Sequence, residues 1–103
     1  MDNQFILRYL PLFEKDLAST CNHIAIKLQN PTAALRLVED TEKAILERLV
    51  NPLWFPPYSS IKDRKQPYYT IRIRNFLVFY VVIGNIMEVR RFLYSKRNLS
   101  EIV

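Results

Sequence analysis

The sequence predicts an α+β domain: an N-terminal strand, then an antiparallel two-helix hairpin packed on one face of an antiparallel sheet, in the order β-α-α-loop-β-β-β. Three observations carry this. Apolar residues recur at helical spacing only between about residues 12 and 51. Alternating or continuous apolar runs typical of strands fill residues 69–94. Between these lies a stretch holding four prolines, Pro52, Pro56, Pro57 and Pro67, which admits neither a helix interior nor a central strand. Two helices against one such sheet is a standard two-layer solution for burying one core.

Phe5–Leu10 is a short apolar run and reads as the first strand, ended by Pro11. Phe13, Leu17, Ile24 and Leu28 then mark one amphipathic helix over roughly 12–29, with Thr20 and Cys21 filling the gap in the stripe. Asn30 is a good N-cap, and Pro31 sits at the first helical position, where its missing N–H costs nothing. Ala34, Leu37, Val38, Thr41, Ile45 and Leu49 form the buried stripe of this second helix, and Asn51-Pro52 stops it. So short a link between the helices implies an antiparallel hairpin. Tyr69–Arg74 is a strand, with a turn at Arg74-Asn75. Phe76–Ile83, "FLVFYVVI", is apolar on both faces and is the central strand. Gly84-Asn85 is a two-residue hairpin signal, and Ile86–Tyr94 is the last strand.

The chain has 103 residues, which predicts a single domain over 1–103. Half the residues are apolar and one is glycine, a globular rather than a disordered composition. No apolar run reaches the roughly 18 residues of a membrane span, and the N-terminal stretch lacks the pattern of a signal peptide. The expectation is a cytoplasmic protein without a membrane partner. Cys21 and His23 are the sole cysteine and histidine, so neither a disulfide nor a metal cluster is expected, and both read as ordinary residues of the first helix. A single glycine cannot build a phosphate-binding loop, and no cofactor is expected. Glu39, Asp40, Glu42 and Glu47 read as a solvated helix face, and Trp54 and Phe55 as loop anchors.

Charge is the informative feature. Residues 1–60 carry six basic and seven acidic groups, and residues 61–103 carry nine basic and three acidic. Such asymmetry points to an anionic partner. The cations are Lys62, Arg64 and Lys65 in the proline-rich loop, Arg72 and Arg74 on a strand, Arg90 and Arg91 on the last strand, and Lys96 and Arg97 beyond it. Residues two apart on a strand share a face, so Arg72 and Arg74 should project together. Tyr68, Tyr69, Tyr80 and Tyr94 are interleaved with them, and tyrosine can stack on bases while arginine and lysine hold phosphates. RNA carries its own nucleophile, the 2′-hydroxyl. A site that cuts it need only orient that group, move protons and stabilise phosphate charge, which cations do without a metal.

The phrases "LPLFEKDL", "LQNPTAALRLVEDTEKAI", "RNFLVFYVV" and "RRFLYSKRNLSEIV", in this order, resemble the RelE/ParE superfamily of type II toxin–antitoxin toxins across nearly the whole chain. The resemblance implies a small α+β toxin neutralised by a cognate antitoxin. It is either a RelE-like endonuclease that cuts mRNA on the ribosome or a ParE-like inhibitor of DNA gyrase without chemistry of its own; a degenerate toxin that retains only antitoxin binding is a third option. For the endonuclease it implies phosphate binding by Arg72, Lys96 and Arg97, assistance from Tyr94 or Lys65, and RNA contacts from Arg74, Lys62, Arg64, Arg90 and Arg91. Thr70, Leu77 and Val103 stand where RelE-like enzymes often carry two basic residues and a tyrosine.

Overall fold

Strand β1 (Ile6–Tyr9) passes into helix α1 (Pro11–Asn22) through one residue, Leu10. The computed structural model describes residues 4–58 and 66–96. Pro11 therefore both ends the strand and opens the helix, where its fixed φ suits the first turn. Glu14 in that turn faces the positive end of the helix dipole. The expected helix over 12–29 changes its winding near its end: His23–Lys27 is a π-helical turn, with Leu28 N–H donating to the His23 carbonyl at 3.1 Å. The wider turn carries Leu28 out of phase with Phe13, Leu17, Cys21 and Ile24. Leu28 is 61% exposed, against its expected place in the stripe, whereas the other four pack on the core. Gln29, at φ 52°, closes the segment in the left-handed region.

Helix α2 (Pro31–Leu49) starts as expected. The Asn30 side chain accepts the Ala33 N–H at 3.1 Å, and Pro31 follows at the first helical position. Ala34, Leu37, Thr41 and Ile45 are buried, and Val38 and Leu49 lie half-buried at the flanks of the stripe. Among the described residues Thr41 Oγ1 is the one buried side-chain polar atom without a hydrogen-bond partner. Leaving such a group unpaired costs about 1–3 kcal/mol. Thr41→Val should thus raise stability by about 1 kcal/mol in chemical denaturation; an unchanged or lower midpoint would mean that the hydroxyl is satisfied in solution.

The sheet has the order β1-β4-β3-β2, with β2 spanning Tyr69–Ile73, β3 Phe76–Ile83 and β4 Ile86–Tyr94. Its three C-terminal strands are antiparallel, as the hairpin signals require. Gly84, at φ +59°, supplies the left-handed residue of the β3–β4 turn. β1 adds parallel to β4, pairing Ile6 with Ile86 and Tyr9 with Val89, so the sheet is mixed. A register slip between Phe79 and Tyr80 leaves Arg90 as the extra residue on β4.

The core lies mainly between the helices and one sheet face. Phe13, Leu37 and Ile45 meet Ile71, Val78, Tyr80, Val89 and Phe92 there. The opposite face carries a smaller cluster of Tyr68, Leu77, Phe79, Val81 and Leu93, with the Tyr58 ring edge-on to Phe79. β3 is thus buried on both faces, as its continuous apolar run requires.

Candidate functional site

Among the described residues, the arginines whose side chains make polar contacts fall into two groups, those neutralised by carboxylates and those facing only neutral partners. Arg91 belongs to the first. Its Nε donates to Asp16 Oδ2 at 2.8 Å and its Nη2 to Oδ1 at 3.2 Å, while the same carboxylate accepts the Phe92 N–H at 3.0 Å. Arg90 donates from Nε to Glu88 Oε1 at 2.8 Å. Glu88 also accepts from Arg8, from Nε at 2.9 Å and from Nη2. Of the two residues singled out as RNA contacts on β4, Arg91 thus ties that strand to α1, and Arg90 braces the Glu88 carboxylate through which Arg8 ties it to β1. Arg74 is not on the strand. It sits in the turn at φ 53°, so it does not project alongside Arg72, and its Nη2 pairs with Asp40 Oδ2 at 2.5 Å. Asp40 is accordingly a partner within the fold and not merely a solvated helix charge.

Glu88 is nearly buried between its two guanidinium groups. Burial pushes its carboxyl up, but hydrogen bonds from Arg90 and Arg8 and their charges outweigh this and hold it below the usual carboxylate range. A depressed folded value means stability that is present above the unfolded value and lost as pH falls through the folded one. Heat stability followed from near neutrality to about pH 3 should therefore fall, and Glu88→Gln should flatten that acid limb. An identical acid limb in the variant would assign the fall to other carboxylates.

The second group centres on Arg48, which sequence reasoning passed over. Nη1 donates to the Thr70 carbonyl at 3.0 Å and to the Tyr80 hydroxyl at 2.9 Å, and the Tyr80 hydroxyl donates to the Pro52 carbonyl at 2.7 Å. The guanidinium lies over the Phe55 ring, 3.8 Å from its centroid. One side chain thereby fixes the end of α2, the start of the proline-rich segment and strand β2. A signal was present: Arg48 falls three residues after Ile45, on the face of α2 that meets the sheet. Tyr80 is wholly buried, which removes it from the tyrosines available for stacking on a base. Burial raises its hydroxyl above its ordinary value despite the nearby Arg48.

Arg48, Arg72, Glu47, Val50, Trp54 and Phe55 are among the residues lining a groove of about 630 Å³ between the end of α2 and strand β2. Trp54 is 75% exposed, so it stands at the surface and is not an anchor for its loop. Arg72 is exposed, and its Nη1 donates to the Arg74 carbonyl at 3.1 Å. Tyr94 lines a different cavity, of about 540 Å³, with Ser19, Thr20, His23, Ile24, Leu28 and Phe76. Lys96 is exposed just beyond β4. Lys62, Arg64, Lys65, Arg97 and Val103 lie outside the described residues. Among the described residues no group of three or more His, Cys, Asp or Glu side chains could hold a metal ion, and no helix is long and apolar enough to cross a membrane.

The profile of the family described as "ParE toxin of type II toxin-antitoxin system, parDE" matches residues 7–99. No curated protein matches the chain. Among solved structures, a chain of the chromosomal ParDE toxin–antitoxin system from P. aeruginosa superposes with a TM-score of 0.75 at 17% identity, covering 92% of this chain and 100% of that one. At that identity the likeness is one of fold.

Proposed function

The chain belongs to the ParE toxin family of type II toxin–antitoxin systems, and from that premise we propose that it arrests growth by binding DNA gyrase and is held inactive by a cognate antitoxin. A toxin of this kind needs a binding surface and no reacting groups. The observation that supports binding over RNA cleavage is the distribution of the cations. Arg74, Arg90 and Arg91 spend their charge on Asp40, Glu88 and Asp16. Arg72 and Tyr94, two members of the supposed cleavage set, line separate cavities. Stabilising one phosphate in a transition state needs donors that converge on one point.

The discriminating experiment puts the purified protein into a gyrase supercoiling assay and, separately, onto ribosomes programmed with mRNA. Supercoiling should be inhibited and the mRNA left intact. Cleaved mRNA with normal supercoiling would instead make the protein a ribosome-dependent endonuclease and return Arg72, Lys96 and Arg97 to a catalytic role. Co-expression with the neighbouring reading frame tests the partnership. A small acidic or amphipathic protein should co-purify, with affinity that falls as salt rises. Recovery of the toxin alone would count against it.

A further inference from the structure

From the cavity beside Tyr94 and a smaller one that adjoins it, we infer a single site for a free nucleoside monophosphate, with the base in the first and the phosphate in the second. The two cavities, of about 540 and 370 Å³, share Ile24 and Phe76 as a common wall. Sites for small molecules run to about 300–1,000 Å³ and combine apolar surface with a few converging polar groups. No residue of the groove at Arg48 and Trp54 takes part, so the inference is independent of the toxin's target and of its antitoxin.

The first half is neutral and aromatic. Ile24, Leu28 and Phe76 supply apolar surface there, and no acidic residue, lysine or arginine lines it. Ser19, Thr20, His23 and Tyr94 bring three hydroxyls and an imidazole, and none of these side chains has a hydrogen-bond partner among the described residues. Groups that both donate and accept suit the mixed edge of a nucleobase. Phe76 stacks on Phe92 with ring centroids 4.9 Å apart and meets Tyr94 edge-on at 5.8 Å. The half-buried Phe76 ring still lines both cavities, so a planar ligand can stack on the side that Phe92 leaves open. The π-helical turn builds this half. The winding that carries Leu28 outward sets it at the cavity with His23 and Ile24, and such turns recur at functional sites.

The second half is cationic, with Arg36 and Arg74 as the charged residues of its lining. Arg36 is exposed and pairs with no described residue. Arg74 gives Nη2 to Asp40 and keeps Nε and Nη1. The Ala33 N–H at the start of α2 is already accepted by Asn30, so the charge of this half comes from arginine. Two guanidinium forks match the oxygens of one phosphate. A strand of nucleic acid needs cations that follow its backbone, whereas the next charge beyond Arg74 is the Asp40 carboxylate. One phosphate is therefore the anion that fits, and a ribose spans the shared wall between it and the base.

The test is calorimetric titration of the purified full chain with the ribonucleoside monophosphates, the matching nucleosides and inorganic phosphate. At least one monophosphate should bind at one site per chain, about tenfold or more tighter than its nucleoside or than phosphate alone. His23→Ala should weaken the monophosphate and the nucleoside alike, by about fivefold. Arg36→Gln should weaken the monophosphate about tenfold and leave the nucleoside unchanged. Both residues are exposed, so both variants should fold. Lys43→Gln, also exposed on α2 and outside both cavities, is the charge-matched control and should bind as the parent does. In the complex, amide chemical shifts should move at Thr20, His23 and Phe76. No binding of any monophosphate at about 1 mM would overturn the inference. So would phosphate alone binding as tightly as every monophosphate, which would make this an ordinary anion patch. A short oligonucleotide that outcompetes every monophosphate, with a salt dependence of several phosphates, would make it a nucleic-acid surface and overturn the inference too.

Discussion

Leu37→Asp should abolish the folded state. Leu37 is 2% exposed, at the centre of the contact between α2 and the sheet. Loss of its aliphatic side chain alone costs about 2–5 kcal/mol. The carboxylate that replaces it would lie in that apolar cluster, and burying a charge there costs several more kcal/mol or forces its protonation. A domain of this size holds only about 5–15 kcal/mol in all. Thermal unfolding followed by circular dichroism should show no cooperative transition. Leu35→Asp, two residues earlier at a position 60% exposed, is the control and should stay within about 0.5 kcal/mol of the parent. A Leu37→Asp protein that melts cooperatively at the parental temperature would reject the packing of α2.

Asp16→Ala should be the most damaging change of a charged residue. Asp16 and Arg91 are 15% and 20% exposed, and the carboxylate also accepts the Phe92 amide. Removing it strands a largely buried guanidinium and a backbone donor together. Breaking a buried pair from one side costs about 3 kcal/mol, which for a domain of about this size lowers the melting temperature by about 15 °C. Asp16→Asn keeps an acceptor for the Phe92 N–H and should lose less. Equal melting temperatures for Asp16→Ala and the parent would show that the pair contributes nothing to the link between α1 and β4.

These two residues also separate what local sequence encodes from what it does not. Leu37 belongs to a stripe with helical spacing that any amphipathic helix displays, and the Asn30-Pro31 start and the double-faced burial of β3 are equally local signals. Asp16 looks like one more surface acid, because its partner is far away in the chain. The same distance hid the parallel union of β1 with β4, since periodicity fixes which face a strand buries but not which strand it joins. It also made Arg91 look like a free cation of a basic strand, whereas the partner of Arg90, Glu88, stands only two residues away. Arg72 was legible as an exposed cation, and its groove was not, because the groove exists only where α2, the proline-rich segment and β2 converge. The outward swing of Leu28 has a different cause: local winding departs from the 3.6-residue period on which the stripe was counted.

The place of β4 between β1 and β3 has a consequence for synthesis. The strand made last is an inner strand, and the strand made first cannot join the sheet without it, since Ile6 pairs with Ile86. Closure over so long a stretch of chain is slow and comes late in folding. A nascent chain halted before Ile86 therefore owns two helices and a hairpin but no continuous sheet, and β1 has nowhere to pair. The cell that makes this protein is exposed to a folded toxin only once the last strand, Ile86–Tyr94, has been made. The β2–β3 hairpin, by contrast, is complete as soon as β3 has emerged, so it can form before the sheet has closed.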